Sequence, residues 1–183
     1  KNVQNSIIER LADGSEVERF KPLAPYETPD AIDEICHSVN AVLQDKFVDP
    51  LLVIPVFIHD FLCIHPFNDG NGRMSRLLTT LLLYQNGYMI SKFISLEQKI
   101  ERIKDSYYAA LAQSGAGWHT GDEDVVPFVK YMLRIILAAY RDFESRIELL
   151  KTSLSAKDRI KIIISATIGK VTKTGILEKQ PDI

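Results

Sequence analysis

The chain has 183 residues, of which 46% are hydrophobic and 25% are charged, and its net charge is −2. These values are typical of one globular domain with a buried core, and they exclude a disordered chain. The longest apolar run, residues 51–58, is far shorter than the roughly 20 residues of a membrane-spanning helix. The charge is not basic enough for a protein that binds nucleic acid over its whole surface.

The charge is distributed unevenly along the chain. Residues 151–183 contain seven Lys or Arg and three Asp or Glu, which indicates a second unit near the C-terminus. The two cysteines, Cys36 and Cys63, lie in apolar helix-like segments and are interpreted as buried small side chains. Two isolated cysteines predict neither a disulfide framework nor a zinc site, so a cytoplasmic location is expected. Because the sequence does not begin with Met, we expect it to be part of a longer protein.

The first predicted element is a β-hairpin. Two runs that contain apolar residues, 6–11 and 16–20, flank Asp13-Gly14. An Asp-Gly pair in this position favours a hairpin turn. Three prolines within residues 22–29 then exclude further strand.

The next segments have helical periodicity. Thr28 is a candidate N-cap of a first helix, and Asp49-Pro50 begins a second one over residues 51–64. This second helix is apolar nearly all round, which predicts a central, buried position. A third helix over 74–84 should end at Asn86-Gly87.

The second half of the chain is also predicted to be helical. Ser95 begins a helix that continues through Leu111, residues 114–121 form a loop, and a long helix covers about 124–151. The expected buried stripe of the long helix is Phe128, Met132, Ile135, Ile136, Ala139 and Phe143. Ser155 begins a further amphipathic helix. This tail is similar to the first part of a winged helix, and a helix that simply packs on the bundle is the alternative.

The segment with the most unusual composition lies between the second and third helices. Residues 65–76 read HPFNDGNGRMSR. Glycines followed by the N-terminus of a helix form a site for anions, and Arg73 and Arg76 share one helical face that suits a polyphosphate. Asp69 is a candidate ligand of Mg²⁺, and His65 can take up a proton near neutral pH. Each residue alone also fits a polar loop, but the combination indicates a phosphate site.

This segment resembles the signature of Fic domains, H-x-F-x-(D/E)-G-N-G-R-x-x-R, at every specified position. The resemblance extends from about residue 6 to about residue 147. It implies a mainly α fold, a Fic-type helical bundle with an N-terminal β-hairpin flap. The implied Fic domain covers residues 1–152, with the flap at about 6–23 and the motif loop at 65–76, and residues 153–183 form a C-terminal helix or a truncated winged-helix segment.

The resemblance also implies an activity. Fic domains typically transfer the AMP part of ATP to a hydroxyl side chain of a target protein and release pyrophosphate. His65 would be the general base, a role worth roughly 10²- to 10⁴-fold in rate, and Asp69 would bind Mg²⁺ at the α and β phosphates. The other motif residues would hold the phosphates: Gly70, Asn71 and Gly72 as an anion cradle, and Arg73 and Arg76 at the β and γ phosphates.

Two further groups of residues are assigned less directly. Tyr107 and Tyr108 fit a buried helical stripe, and the resemblance implies that at least one of them lines the adenine pocket. The hairpin resembles the family's flap, which binds an extended segment of the target by strand addition. Its target-binding edge would comprise Arg19, Phe20, Lys21, Pro22 and Leu23. A hairpin that merely covers the core is the alternative.

The remaining histidines are His37, His59 and His119, and we interpret them as structural or surface residues. A contact of Trp118 and His119 with nucleotide or target stays open.

Many family members carry an inhibitory helix with the pattern (S/T)-x-x-x-E-(G/N). Residues 174–178 have this spacing, but Lys179 occupies the last position. We therefore expect an inhibitory helix N-terminal to Lys1, a separate antitoxin-like chain, or no inhibition. If the helix precedes Lys1, this chain should be more active than its longer parent.

Two classes of function remain open. An intact His65 favours an enzyme over a nucleotide-binding regulatory module of a transcription regulator, and DNA binding by this chain alone is not expected. Family members that act as kinases usually have Lys at the position of Gly72, so Gly72 favours AMP transfer over transfer of another phosphate-containing group. The sequence does not distinguish addition of AMP from its removal.

Overall fold

A computed structural model describes residues 1–10, 13–151, 155–167 and 169–179 of the chain. Two short strands precede a series of α-helices, with 3₁₀ turns at Met89–Lys92 and Trp118–Thr120. The elements are β1 (Ile7–Arg10), β2 (Glu16–Phe20), α1 (Thr28–Asp45), α2 (Pro50–Ile64), α3 (Asn71–Gln85), α4 (Leu96–Arg102), α5 (Lys104–Gly115), α6 (Val126–Lys151), α7 (Ala156–Ala166) and α8 (Lys173–Lys179). This is the predicted mainly helical fold with an N-terminal hairpin.

The hairpin forms because the Asp13-Gly14 pair supplies the turn geometry. Gly14 has a φ of +83°, and the Asp13 carboxylate accepts hydrogen bonds from the backbone N–H and the hydroxyl of Ser15. The strands pair in antiparallel register, with an irregularity between Ile7 and Ile8. Residues 11 and 12 of the predicted strand lie outside the described residues.

Helix α2 is the centre of the bundle, as its composition predicts. Asp49 caps it by accepting a hydrogen bond from the N–H of Leu51 at 2.8 Å, and Pro55 is accommodated within it. Its second half is almost entirely buried, and helices α1, α3 and α6 pack around it. The buried set on α2 is Ile54, Phe57, Ile58, Phe61, Leu62, Cys63 and Ile64. Because α2 is held on several sides, the residue at its end, His65, has a fixed position.

The structure corrects several local predictions. The N-cap position of α1 is Glu27, because Thr28 turns its hydroxyl back to donate to the carbonyl of Ala24 at 2.9 Å. The helix predicted from Ser95 through Leu111 is interrupted at Ile103, whose φ of −128° and ψ of 41° separate α4 from α5. Cys36 is only half-buried, whereas Cys63 is buried as expected.

The long helix α6 has the predicted stripe, and five of its six members are buried, while Phe143 is partly buried. The same face also carries a buried carboxylate, Asp142, which accepts from Lys99 Nζ at 3.0 Å and from Lys179 Nζ at 3.1 Å. Burial acts to raise the pKa of Asp142, but hydrogen bonds and charge from the two lysines outweigh it and hold the pKa below its usual value.

The C-terminal helices α7 and α8 pack against the bundle. Helix α7 lies on α6, and α8 contacts α7. Lys179 joins α8 to Asp142, and Glu178 Oε2 lies 3.6 Å from Arg102 Nη2. The predicted boundary between residues 152 and 153 falls outside the described residues. Within those described, none of the helices has both the length and the apolar character needed to cross a membrane.

Candidate active site

His65 occupies the C-cap of α2 in a left-handed conformation, with φ 55° and ψ 63°. Its ring Nδ1 lies 3.1 Å from the carbonyl oxygen of Leu62. A carbonyl can only accept a hydrogen bond, so Nδ1 carries the proton and Nε2 carries the free lone pair. Burial lowers the pKa of His65, more than the Leu62 contact raises it, and the charge of Lys1 adds to the lowering. The ring is therefore a neutral imidazole at neutral pH, with Nε2 as its basic atom.

The loop after His65 is closed by the buried side chain of Asn71. Its Nδ2 donates to the carbonyl of Phe67 at 2.7 Å, and its Oδ1 accepts from the N–H of Phe67 at 2.9 Å. The carbonyl of Phe67 also accepts from Asn5 Nδ2 at 3.2 Å. Both ends of the Asn71 amide are thus used to shape the loop, a task that the motif alone does not reveal.

The loop leads directly into the N-terminus of α3. Gly70 is the N-cap with a φ of +86°, a conformation that a side chain would strain. Its carbonyl accepts from Met74 N at 2.9 Å, and its own N–H donates to Asp69 Oδ1 at 2.6 Å. The N–H groups of Asn71, Gly72 and Arg73 belong to the first turn, where a helix offers no acceptors of its own. These three N–H groups, called the cradle below, lie at the positive end of the α3 dipole, whereas the N–H of Gly70, also expected in the cradle, is bonded to Asp69.

Both arginines of the motif are paired with carboxylates. Arg73 Nη2 lies 3.3 Å from Asp69 Oδ2, and both side chains are largely exposed. Arg76 Nε lies 3.0 Å from Glu97 Oε1. The arginines line one cleft of about 540 Å³ between α3 and residues 91–100. Glu97 is a residue that sequence reasoning missed, since its place just after the N-cap Ser95 indicated only a helix start.

A metal site could be based on one carboxylate of the motif loop, that of Asp69. Among the described residues, no group of three or more His, Cys, Asp or Glu side chains could hold a metal ion. Asp69 offers an exposed carboxylate beside the cradle. One carboxylate completed by phosphate oxygens and water is the usual way in which Mg²⁺ binds with a nucleotide. The residues present thus fit an ion that arrives with its ligand.

A second cleft, of about 750 Å³, separates the hairpin from α5. Tyr108 lines it together with Arg19 and Phe20, and its floor includes Leu62 and Cys63 of α2. Tyr107 is instead buried in the core, where desolvation raises its pKa to about 12 against the opposing effects of Ser75 and Arg76. The tyrosine pair is therefore divided between a cleft and the core.

The residues of the predicted flap edge also differ in exposure. Lys21 is exposed, Leu23 is half-buried, and Pro22 is buried with its carbonyl accepting from Gln4 Nε2 at 2.9 Å. Pro22 therefore lies on the buried side of the edge and supports it. Of the remaining histidines, His59 is fully buried and His37 is exposed, whereas His119 Nε2 lies 2.8 Å from the carbonyl of Lys21.

A buried helix ending in a histidine, a glycine-rich loop, a second helix starting with two arginines and a covering hairpin together define a Fic-type domain. Residues 3–83 match the family model described as the Fic/DOC family. A Fic domain containing signaling protein from Bacteroides thetaiotaomicron has a similar structure, with a TM-score of 0.55 and 28% identity over 76% of this chain and 52% of that one. The chain is thus similar to the Fic/DOC family over residues 3–83, and its helical fold is of the Fic type.

Two relatives have names that state an activity. A probable protein adenylyltransferase of Aquifex aeolicus is 33% identical over 93 residues, which are 51% of this chain and 28% of that protein. A protein adenylyltransferase of Caenorhabditis elegans is 29% identical over 118 residues, 64% of this chain and 21% of that protein. The chain thus spans about a quarter of the length of these relatives.

Proposed function

We propose that this chain transfers AMP from ATP to a hydroxyl side chain of a target protein. The observation that carries the proposal is one helix-loop-helix segment: α2 is capped by His65, whose Nδ1 is bonded to the Leu62 carbonyl, and α3 starts directly after residues 66–70 with the N–H cradle, Arg73 and Arg76. A base and an anion site next to each other are what nucleophilic attack on a phosphate requires. The names of the two adenylyltransferase relatives support the same reaction.

In the proposed reaction, the target's hydroxyl oxygen attacks the α-phosphorus of ATP. The bond from this phosphorus to the oxygen that bridges to the β-phosphate breaks, and pyrophosphate leaves. His65 Nε2 accepts the hydroxyl proton, while Nδ1 keeps its own proton, donates it in a hydrogen bond to the Leu62 carbonyl and so fixes the ring. Donors that are already oriented stabilise the developing charge without reorganisation. Here these donors are the first-turn N–H groups of α3 together with Arg73 and Arg76.

ATP and Mg²⁺ are the proposed ligands of this site. Asp69 would hold the Mg²⁺ that accompanies ATP, and the ion would neutralise phosphate charge when bound. Because Arg73 pairs with Asp69 and Arg76 pairs with Glu97, nucleotide phosphates would have to draw both guanidinium groups away from carboxylates. Tyr108 and the apolar wall of the second cleft would take the adenine.

The proposed protein target would bind along the flap. A two-stranded sheet leaves strand edges free for pairing, and an extended segment can add to such an edge through backbone hydrogen bonds. We propose Arg19, Phe20, Lys21 and Leu23 as the edge that faces the target, with Pro22 supporting it. An inhibitory helix or antitoxin and a cytoplasmic location remain predictions of the family resemblance.

The test is a pair of labelling reactions with Mg²⁺ and ATP, labelled at the α phosphate in one and at the γ phosphate in the other. His65→Ala and the matched control His37→Ala, an exposed histidine on α1, are run in parallel. Protein label from the α position alone, lost in His65→Ala and kept in His37→Ala, is expected. Label from the γ position would mean phosphoryl transfer and would overturn the phosphate assignments. Bound ATP without any label would favour a regulatory nucleotide-binding module.

A further inference from the structure

The connection between α5 and α6 contacts both the flap and the central helix. It carries Trp118 and His119 in a 3₁₀ turn between two left-handed glycines, Gly117 at φ +79° and Gly121 at φ +74°. A Cβ at Gly117 would lie 3.0 Å from the backbone of Asp122. The turn is therefore tightly closed, and it presents its two aromatic side chains in a fixed arrangement.

His119 is the residue of this turn that contacts the flap. Its Nε2 lies 2.8 Å from the carbonyl of Lys21, and its ring stacks on that of Phe20, with centroids 5.4 Å apart and planes at 13°. Trp118 meets the same Phe20 ring edge-on at 6.2 Å. On another side, a Cβ at Gly115 would lie only 3.5 Å from Phe20. The end of β2 is thus held through both its backbone and its aromatic side chain.

Trp118 connects the turn to the helix that ends at the candidate base. Its Nε1 donates to Asp60 Oδ1 at 3.0 Å. Asp60 lies on α2, five residues before His65, and its side chain is 27% exposed. The contacts therefore run from the flap edge, through His119 and Trp118, to the helix that positions His65.

We propose that Asp60, Trp118 and His119 form a flap anchor that sets the position of the target segment relative to His65. This inference rests on the proposed function, in which the target pairs with the flap edge. A two-stranded hairpin is marginally stable by itself, so its edge needs an external support to hold a fixed distance from the base. A displacement of about 1 Å can cost on the order of 10²-fold in rate. The anchor therefore determines how efficiently the hydroxyl of a target segment bound to the flap reaches the α-phosphate. The three are positioning residues and do not touch the reacting atoms.

The test uses paired variants that separate the contacts. His119→Phe keeps an aromatic ring for Phe20 but removes the N–H donor, whereas His119→Gln keeps a donor near the position of Nε2. Asp60→Ala removes the acceptor of Trp118, whereas Asp60→Asn keeps an oxygen acceptor. His37→Ala is the control for loss of a histidine far from the flap.

Hydrogen exchange of residues 16–23 measures the anchor independently of any reaction. We expect exchange of the flap amides to accelerate about tenfold in His119→Phe and Asp60→Ala, as loss of one hydrogen bond implies. Asp60→Asn and His37→Ala should stay close to the parent chain, and His119→Gln, which keeps a donor but loses the ring stacked on Phe20, should fall between His119→Phe and the parent. Unchanged protection in His119→Phe and Asp60→Ala would overturn the anchor, whether or not the chain transfers AMP.

Transfer to peptides measures the consequence for the target. The probe is a library of extended peptides that each carry one Ser, Thr or Tyr, with ATP labelled at the α phosphate. In His119→Phe and Asp60→Ala we expect the rate of peptide labelling to fall at least tenfold, with Mg-ATP affinity unchanged, and we expect recovery in the conservative variants. A looser flap with an unchanged rate of peptide labelling would overturn the positioning role. No labelled product from the parent chain would instead refute the proposed function, and the exchange result would then decide the anchor alone.

Discussion

Replacing Asn71 by alanine tests whether the motif loop is shaped by this side chain. The amide satisfies both the N–H and the carbonyl of Phe67, and it is only 2% exposed. The Phe67 carbonyl keeps its bond from Asn5, but the N–H loses its acceptor. A lost hydrogen bond costs about 1 kcal/mol, and Asn71→Ala removes two of them. We therefore expect Asn71→Ala to lower the free energy of unfolding by about 2 kcal/mol.

Urea unfolding followed by circular dichroism measures this change. Asn86→Ala is a matched control, because Asn86 Nδ2 makes a single hydrogen bond, to the carbonyl of Leu82 at 2.8 Å, at the end of α3. The control should lose only about 1 kcal/mol.

Comparing the loss of unfolding free energy in Asn71→Ala with that in Asn86→Ala shows whether Asn71 shapes the loop. If Asn71→Ala unfolds no more easily than Asn86→Ala but loses ATP binding, Asn71 serves the phosphate directly and the argument from the loop is refuted. If stability falls by the expected amount, any loss of AMP transfer includes the loss of the loop's shape.

Three further predictions concern ionisable groups. Because burial lowers the pKa of His65, its basic form persists below the ordinary histidine value, and the acid limb of the kcat/KM profile should lie below pH 6.5. Glu97→Gln releases Arg76 for phosphate, so titration with Mg-ATP should show a Kd two- to fivefold lower, as expected for an exposed ion pair. Asp142→Ala removes the buried carboxylate that pairs with Lys99 and Lys179, whose side chains are only 13% and 10% exposed, so urea unfolding should show a loss of about 3–5 kcal/mol.

Each of these predictions has a control or a result that contradicts it. An acid limb above pH 7 would mean that a group other than a desolvated His65 is the base. Glu101→Gln removes an equally exposed carboxylate that pairs with Lys104, and an equal gain in ATP affinity would show a general charge effect. The stabilisation from Asp142 should persist above the unfolded carboxyl pKa of about 3.9 and disappear as the pH falls through its lower folded-state pKa. A stability that is independent of pH between 2 and 5 would contradict that pairing.

The fold was largely predictable because its strongest signals are local. The Asp13-Gly14 turn and the Asp49-Pro50 helix start each depend on a few adjacent residues, and the structure has both. The break at Ile103 was not predictable, because apolar spacing continues across it from α4 into α5. Thr28 was misassigned for a similar reason, since the sequence does not show that its hydroxyl bonds backwards to Ala24.

The candidate site was predictable where the motif is continuous. His65 and the start of α3 are close in sequence, so their proximity follows from one helix-loop-helix segment. Glu97 and Trp118 are different, because they reach Arg76 and Asp60 from elements distant in the chain. A pattern of residue types does not show which residues of distant elements come into contact. The tyrosine pair shows the same limit, since adjacent residues on one helix necessarily point in different directions.

The position of the central helix α2 explains how the site can keep one arrangement although its loop is rich in glycine. A flexible loop alone would let the base and the phosphate cradle move relative to each other, at a cost in rate. Here Asn71 ties the loop to itself, His65 is bonded to the last turn of α2, and Asp60 on the same helix holds the turn that contacts the flap. The base, the cradle and the flap are therefore all positioned by the same buried helix, α2. A core substitution that shifts α2, such as Ile54→Ala at a fully buried position, should consequently lower AMP transfer more than ATP binding, because transfer needs all three parts aligned and binding needs only the cradle.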